Sequence, residues 1–130
     1  MKRSVFYFDD DPALLDIFQE MFKGEYDVRT AAELASARRV IAECEPDIII
    51  TDQSMPEISG SAFLREAIEK CPHSFRIMLT GHAGVGDVFE EVTNGLINVF
   101  IVKPWREEQM RQALERGGAT VEARRKSMTD

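Results

Sequence analysis

The sequence predicts an α/β fold, a doubly wound (βα)5 three-layer sandwich around a parallel sheet. Three observations predict it. Short apolar runs alternate with helix-period segments five times along the chain, the pattern of a parallel sheet covered on both faces. The run IIITDQSMPEISG, Ile48–Gly60, carries three β-branched residues into Thr51 and Asp52 before Met55-Pro56 and Gly60 turn the chain. Such a run reads as a strand buried on both faces. Finally, the first, third, fourth and fifth strands each run into polar residues, Asp9-Asp10, Asp52, Thr80 and Lys103. Right-handed crossovers then fix the doubly wound arrangement, and the strand order 2-1-3-4-5 is one of its two common solutions.

Taken in order, Ser4–Phe8 forms the first strand, stopping where Asp9, Asp10 and Asp11 begin. Pro12 suits the first turn of a helix, where its missing N–H costs nothing. Leu14, Leu15, Phe18, Met21 and Phe22 recur at helical spacing, and Gly24 ends the element. Tyr26–Thr30 is a brief second strand, and Ala31–Glu43 a second helix with Leu34, Ala37, Val40 and Ile41 on one face. Glu45-Pro46-Asp47 breaks the chain before the central strand. After Gly60, Phe63, Leu64, Ala67 and Ile68 give a third helix closed by Pro72, and Phe75–Leu79 is the fourth strand. A glycine-rich loop (Gly81, Gly84, Gly86) leads into a short fourth helix, Asp87–Thr93, stopped at Asn94-Gly95. Asn98–Val102 is the fifth strand. Arg106–Arg116 is a charged fifth helix with Met110, Ala113 and Leu114 inward, stopped by Gly117-Gly118. The expected organisation is one domain over residues 1–118 and a polar C-terminal tail, or the start of a linker, over 119–130.

At 130 residues with 44% hydrophobic and 30% charged side chains, the chain suits one domain with a sizeable core. A net charge of −7 argues against nucleic acid as a direct partner, and the short Arg124-Arg125-Lys126 cluster reads as a solvated tail. No apolar run approaches the roughly 20 residues of a membrane span. The N-terminal apolar run stops at Phe8, too early for a signal peptide, so a cytoplasmic location is expected. Cys44 and Cys71 lack CxxC spacing and read as reduced structural thiols.

In a parallel sheet every strand C-terminus lies on one edge, and a ligand is expected where the strand order reverses. By itself Asp52 reads equally well as a cap for the next turn. Beside Asp9 and Asp10, though, three crowded carboxylates repel one another, and Lys103 supplies only one positive charge. A hard divalent cation would resolve this, and Mg²⁺ suits a site of few carboxylates plus water and a phosphate. With a metal present, Asp52 becomes a carboxylate nucleophile toward phosphorus, and Lys103 and the Thr80 hydroxyl are placed to hold phosphoryl oxygens.

The chain resembles a response-regulator receiver domain of two-component (phosphorelay) signalling. Asp9-Asp10 after the first strand, DIIITDQSMPEISG around Asp52, LTG at Thr80 and FIVKPW around Lys103 carry the resemblance, in family order and spacing from about Ser4 to Arg116. The fold implied is flavodoxin-like, and the strand order is itself one the family is known for. The resemblance implies a phosphoacceptor domain that takes a phosphoryl group from a histidine kinase or histidine phosphotransfer protein onto Asp52. It implies that Asp10 and the Asp52 carboxylate bind Mg²⁺, with the Ser54 main-chain carbonyl as a third ligand, while Asp9 acts mainly through metal-bound water. Thr80 and Lys103 would contact the phosphoryl group, and Phe100 occupies the aromatic switch position. Ser54 and His82, two residues beyond Asp52 and Thr80, occupy variable positions that tune kinetics. Phe100 stands where tyrosine is common, so its rotation is governed by packing alone. The implied output surface is the face of the fourth helix, fifth strand and fifth helix, serving a second copy or a partner. Such a domain is no enzyme beyond its own phosphorylation and dephosphorylation.

Two rivals differ in class. A haloacid-dehalogenase-like, Mg²⁺-dependent aspartyl phosphohydrolase places a DxD pair on the first strand's loop, and Asp9 and Asp11 have that spacing, but Asp52 would then be unexplained. A flavodoxin-like cofactor binder wants a phosphate-cradling loop after the first strand, where three acids stand.

Overall fold

The computed structural model describes residues 2–81, 92 and 94–129. Its strands are β1 (Arg3–Phe8), β2 (Tyr26–Ala31), β3 (Ile48–Asp52), β4 (Phe75–Thr80) and β5 (Val99–Val102). They form one parallel sheet in the order β2-β1-β3-β4-β5. Every residue of β3 is buried, as its β-branched run requires, with Val5 beside Ile48 on one flank and Ile77 beside Ile50 on the other. By contrast β2, at the sheet edge, alternates half-buried and exposed residues, leaving one flank to solvent.

The described helices are α1 (Pro12–Phe22), α2 (Leu34–Cys44), α3 (Gly60–Lys70) and α4 (Glu107–Thr129), the last being the fifth helix expected from the sequence. Helices α1 and α4 cover one face of the sheet through Leu15, Phe18, Phe22, Met110, Leu114 and Val121. On the other face, α2 and α3 contribute Ala37, Ile41, Phe63, Leu64 and Ala67. The Asp11 side chain caps α1 by accepting the Ala13 N–H at 3.0 Å, with Pro12 in the first turn. Ser59 caps α3 in the same way, accepting from Ala62 at 3.1 Å. A Cβ on Gly60 would lie 2.4 Å from the Asp52 carbonyl oxygen, so this helix can begin hard against the end of β3 only because glycine stands there.

Several boundaries differ from the sequence expectation. The second helix begins at Leu34, because Ala31 completes the ladder of β2 opposite Phe8. The predicted fourth helix and Gly84 and Gly86 lie outside the described residues, except for Val92. Arg76, which sits in an apolar strand pattern, is 4% exposed, with no carboxylate paired to it among the described residues. Its guanidinium donates to the carbonyls of Ser74 (2.7 Å), Leu96 (2.6 Å) and Gly95 (3.1 Å), tying down the segment that enters β5. Burial, with Arg124 adding, brings its pKa down to about 10.

The main correction concerns the C-terminus. Gly117-Gly118 does not stop the last helix, which runs unbroken from Glu107 to Thr129, so the boundary drawn at 118 falls inside a helix. Glycine weakens an exposed helix, but here the pair is buried, and the missing side chains let the helix lie close to the sheet. A Cβ on Gly117 would stand 2.7 Å from the Phe75 ring and 3.2 Å from Ile48. Beyond it Val121 is fully buried, Arg125 pairs with Asp47, Arg3 pairs with Glu122 at 3.1 Å, and Arg124 donates to the Ser74 carbonyl at 2.6 Å. Tertiary contacts therefore override the local stop signal.

Gly117→Val should destabilise the domain by roughly 1–3 kcal/mol through overpacking against Phe75. Gly118→Ala meets only the flexible Arg3 side chain and should change stability by no more than about 1 kcal/mol. Urea denaturation of both variants checks the contrast; equal responses would mean the glycines do not set the helix-to-sheet distance.

Candidate functional site

Four strand ends meet at one edge of the sheet, and period-two alternation decides which side chains converge there. Tyr7, Ile50, Leu79 and Ile101 point into the α1/α4 core. Continuing that alternation by two residues gives Asp9 from Tyr7, Asp52 from Ile50 and Lys103 from Ile101, all directed to the same side. The ligand atoms of Asp9, Asp10 and Asp52 lie within 4.8 Å of one another. Lys103 Nζ reaches Asp52 Oδ1 at 2.8 Å and Asp9 Oδ2 at 3.3 Å. Asp9 is fully buried, Asp52 is 7% exposed and Asp10 is exposed.

Three carboxylates around one ammonium leave the group two charges negative. Burial holds the Asp52 carboxyl above its ordinary range against the hydrogen bond and charge of Lys103, and Asp9 and Asp10 push it further the same way. Burial pulls the Lys103 ammonium down, but its hydrogen bond to Asp52 and the charges of Asp9 and Asp52 outweigh that and leave it raised. The donors are all oxygens, one carboxylate opens to solvent, and the excess charge matches a dication. This set fits a hard cation such as Mg²⁺.

The other expected residues divide. Thr80 ends β4 at the same edge, 2% exposed, but its hydroxyl donates to the Gly81 carbonyl at 3.2 Å. Its alternation is that of Met78 and Phe100, which point to the α2/α3 core. Phe100 is half-buried there, as are Val92 and Leu96. Ser54 is exposed in the loop after β3. His82 lies outside the described residues. Asp11 is committed to capping α1 and does not join the carboxylate group, which removes the DxD pairing that a phosphohydrolase would use.

Two contributors went unread in the sequence. Gln53 turns its side-chain oxygen to the Ser61 N–H (3.0 Å) and hydroxyl (3.1 Å), fixing the start of α3 beneath the loop after Asp52. Tyr7, buried and two residues before Asp9, donates its hydroxyl to Asp9 Oδ2 at 2.7 Å. The strand alternation was a signal for Tyr7, since it and Asp9 must share a face. No such local signal marks Gln53.

Beside the site, Leu14, Ile17, Met21, Lys103, Pro104, Trp105 and Glu107 line a mostly apolar groove of about 500 Å³ between α1 and the start of α4. Ile17 is 52% exposed, and Trp105 packs edge-on against buried Phe18.

Comparison with known proteins bears on the family and the fold. The chain is 29% identical over 119 residues to the hydrogenase transcriptional regulatory protein HoxA of Cupriavidus necator, covering 88% of this chain and 25% of that one. It is 30% identical over 116 residues to the C4-dicarboxylate transport transcriptional regulatory protein DctD of Rhizobium meliloti, covering 87% of this chain and again 25% of the relative. The chain thus spans about a quarter of the length of these relatives. Among solved structures, a CheY-like response regulator receiver domain protein from Methanospirillum hungatei superposes with a TM-score of 0.81 at 24% identity, covering 98% of this chain and 99% of that one. An adenylate cyclase structure from Rhodopirellula baltica superposes with a TM-score of 0.95 at 23% identity, covering 99% and 96%. Residues 5–115 match the response regulator receiver domain family, and the chain belongs to that family, whose place is in two-component signalling.

Proposed function

We propose that this domain takes a phosphoryl group from a histidine kinase or histidine phosphotransfer protein onto Asp52, in a Mg²⁺-dependent reaction, and thereby changes its surface. The observation that carries the proposal is the placing of Asp52: at the end of the central strand, crowded by Asp9 and Asp10, and bonded to Lys103 at 2.8 Å. Asp52 forms the O–P bond as the P–N bond of the phosphohistidine donor breaks, its electron pair leaving on the imidazole. Lys103 already holds one Asp52 oxygen and reaches oxygens added there. Thr80 must release the Gly81 carbonyl to donate to the phosphoryl group. Asp10, the Asp52 carboxylate and the Ser54 main-chain carbonyl would hold a Mg²⁺ ion, which would supply neutralising charge for the phosphoryl oxygens. Ser54 and His82 adjust how long the phosphoryl group survives, and the domain turns over no substrate besides its own phosphorylation.

The groove at Leu14, Ile17, Pro104 and Trp105 suits the donor's histidine-bearing helix, because an apolar surface there borders Lys103 directly. Phe18, which helical spacing pairs with Leu14, is fully buried and takes no part in docking. Output runs through Thr80 and Phe100, which share a sheet face, to the surface of the predicted fourth helix, β5 and α4. A second copy or a protein partner reads that surface in the cytoplasm. No helix among the described residues is long and apolar enough to cross a membrane.

Three outcomes follow. Acetyl phosphate with Mg²⁺ should add one phosphoryl group, seen by intact mass, and none to Asp52→Asn; labelling of that variant to the wild-type extent would refute the assignment. The second concerns stability. The folded-state pKa of Asp52 lies above its unfolded value. Its stabilising protonated form is therefore present below the ordinary carboxylate range and lost as the pH rises through the folded value. Metal-free Asp52→Asn should melt a few degrees above wild type at pH 7, the response to about 1 kcal/mol in a domain of this size. The gap should close toward pH 4; a lower melting temperature at pH 7 would reverse the sign argued here. Third, beryllofluoride, a stable phosphoryl mimic, should alter the sedimentation of wild type much more than that of Thr80→Ala or Phe100→Ala. Equal responses in all three would show that the signal leaves by another route.

A further inference from the structure

The proposed site contains one buried polar group that its chemistry leaves unused, the Tyr7 hydroxyl. Tyr7 is fully buried in the α1/α4 core among Val5, Leu15, Phe18, Ile50 and Ile77. Phenylalanine would fill that volume without bringing in a polar atom, and buried hydroxyls are costly unless bonded. The hydroxyl donates to Asp9 Oδ2 at 2.7 Å, and the Trp105 side chain also interacts with it. The ring is held by packing: Phe18 stands edge-on to it at 5.1 Å, and Phe18 is itself fixed by Phe22 at 4.9 Å and Trp105 at 6.1 Å. Burial and then Asp9 push its acidity far beyond any physiological pH, so the group stays a donor.

Asp9 is consequently crowded by protein donors. Its Oδ2 accepts from Tyr7 at 2.7 Å and Lys103 at 3.3 Å, and its Oδ1 accepts from the Asp11 N–H at 3.0 Å. A carboxylate offers about four lone-pair sites, and three are taken. Asp10, exposed, makes no hydrogen bond or ion pair among the described residues, so its oxygens remain available. The two adjacent acids have been given different work by their surroundings.

We propose that Tyr7 is a positioning residue of the acid site: its hydroxyl locks the Asp9 carboxylate in an orientation that braces Lys103 and keeps Asp9 as an outer acceptor, leaving Asp10 and Asp52 to coordinate Mg²⁺. The inference rests on the metal-dependent reading proposed above. Residues that orient a ligand group without touching the metal commonly change metal affinity 10–100-fold when removed. Tyr7→Phe keeps the ring, its contact with Phe18 and the core volume, and deletes only the hydroxyl. With it gone, Asp9 keeps only the Asp11 N–H and Lys103 as donors, and its orientation in the acid cluster is less tightly set.

The test is Mg²⁺ titration by calorimetry at pH 7.5 on the full chain as wild type, Tyr7→Phe, Asp9→Asn and the double variant, with Asp10→Ala as reference. Tyr7→Phe should weaken Mg²⁺ binding about tenfold. In the Asp9→Asn background the same change should add less than about twofold, because the hydroxyl then has no carboxylate to hold. The Mg²⁺ concentration for half-maximal labelling of Tyr7→Phe by acetyl phosphate should rise by the same factor of about ten, a shift that general loosening of the fold would not produce. Wild-type affinity in Tyr7→Phe, or an undiminished loss in the Asp9→Asn background, would overturn the assignment. If wild type itself takes up no Mg²⁺, the metal reading falls and this one with it. If wild type binds, Asp10→Ala does not and Tyr7→Phe binds as wild type, the Tyr7 inference alone is lost.

Discussion

Three carboxylates crowded beside one ammonium where β1 and β3 end set the terms for the rest of the molecule. Such a group is destabilising by itself: burial raises Asp52, its acidic neighbours add to the effect, and Lys103 offsets only part of it. Holding it together needs a frame that cannot relax, and the frame is β3, buried along its whole length between β1 and β4. Gly60 presses the start of α3 to the Asp52 carbonyl, and Gln53 pins Ser61. In the function proposed above, the excess negative charge draws a dication to this edge, and the dication in turn offsets the charge of a phosphoryl group.

The parts of this arrangement visible in the sequence are those whose signals are local. A β-branched run ending in an acid, an acid pair after the first strand and a lysine ending the last strand each declare themselves within a few residues, and a parallel sheet then brings them to one edge whatever its loops do. The parts hidden from the sequence depend on what lies across the core. Gly117-Gly118 reads as a stop, yet Phe75 and Ile48 turn the same pair into a close-packing surface and the helix continues. Arg76 lies within the strand pattern with nothing nearby in sequence to say what satisfies its charge, and backbone carbonyls of Ser74, Gly95 and Leu96 do so. Leu14 and Phe18 share a helical face by spacing, and only the structure separates the half-buried one from the fully buried one.

Lys103 links two aspects of the domain. Its ammonium belongs to the acid cluster, while the residues that follow it, Pro104 and Trp105, wall the apolar groove beside α1. In the function proposed above, a donor helix seated in that groove borders the same short segment that carries the charge offered to the transferred group. Trp105 also backs Phe18, which backs Tyr7, which holds Asp9. The groove and the acid site share one aromatic wall. A mutation on the groove side thus has a packed route to the acids, and effects on docking and on metal binding have to be measured separately.

Strand alternation imposes a final constraint. Asp9, Asp52 and Lys103 are directed with the α1/α4 side of the sheet, while Thr80 and Phe100 follow the opposite alternation with Met78. The sheet is a packed layer with β3 and β4 buried throughout, so a change at the acids does not pass through it by simple displacement. The strand ends are where the two alternations meet, since there a side chain of either parity can turn over the edge. Thr80 occupies that position: it ends β4, opposite Val102, with its hydroxyl on a carbonyl that it can release and Phe100 two residues back from its partner on the same face. In the function proposed here, the residue that bonds the phosphoryl group is thereby also the one whose movement is felt on the far face. Coupling of this kind transmits only the difference in the ligand's affinity for the two arrangements, commonly about 1–3 kcal/mol. That range suits a half-buried ring such as Phe100, whose alternative packings need differ little, better than a fully buried one locked in the core.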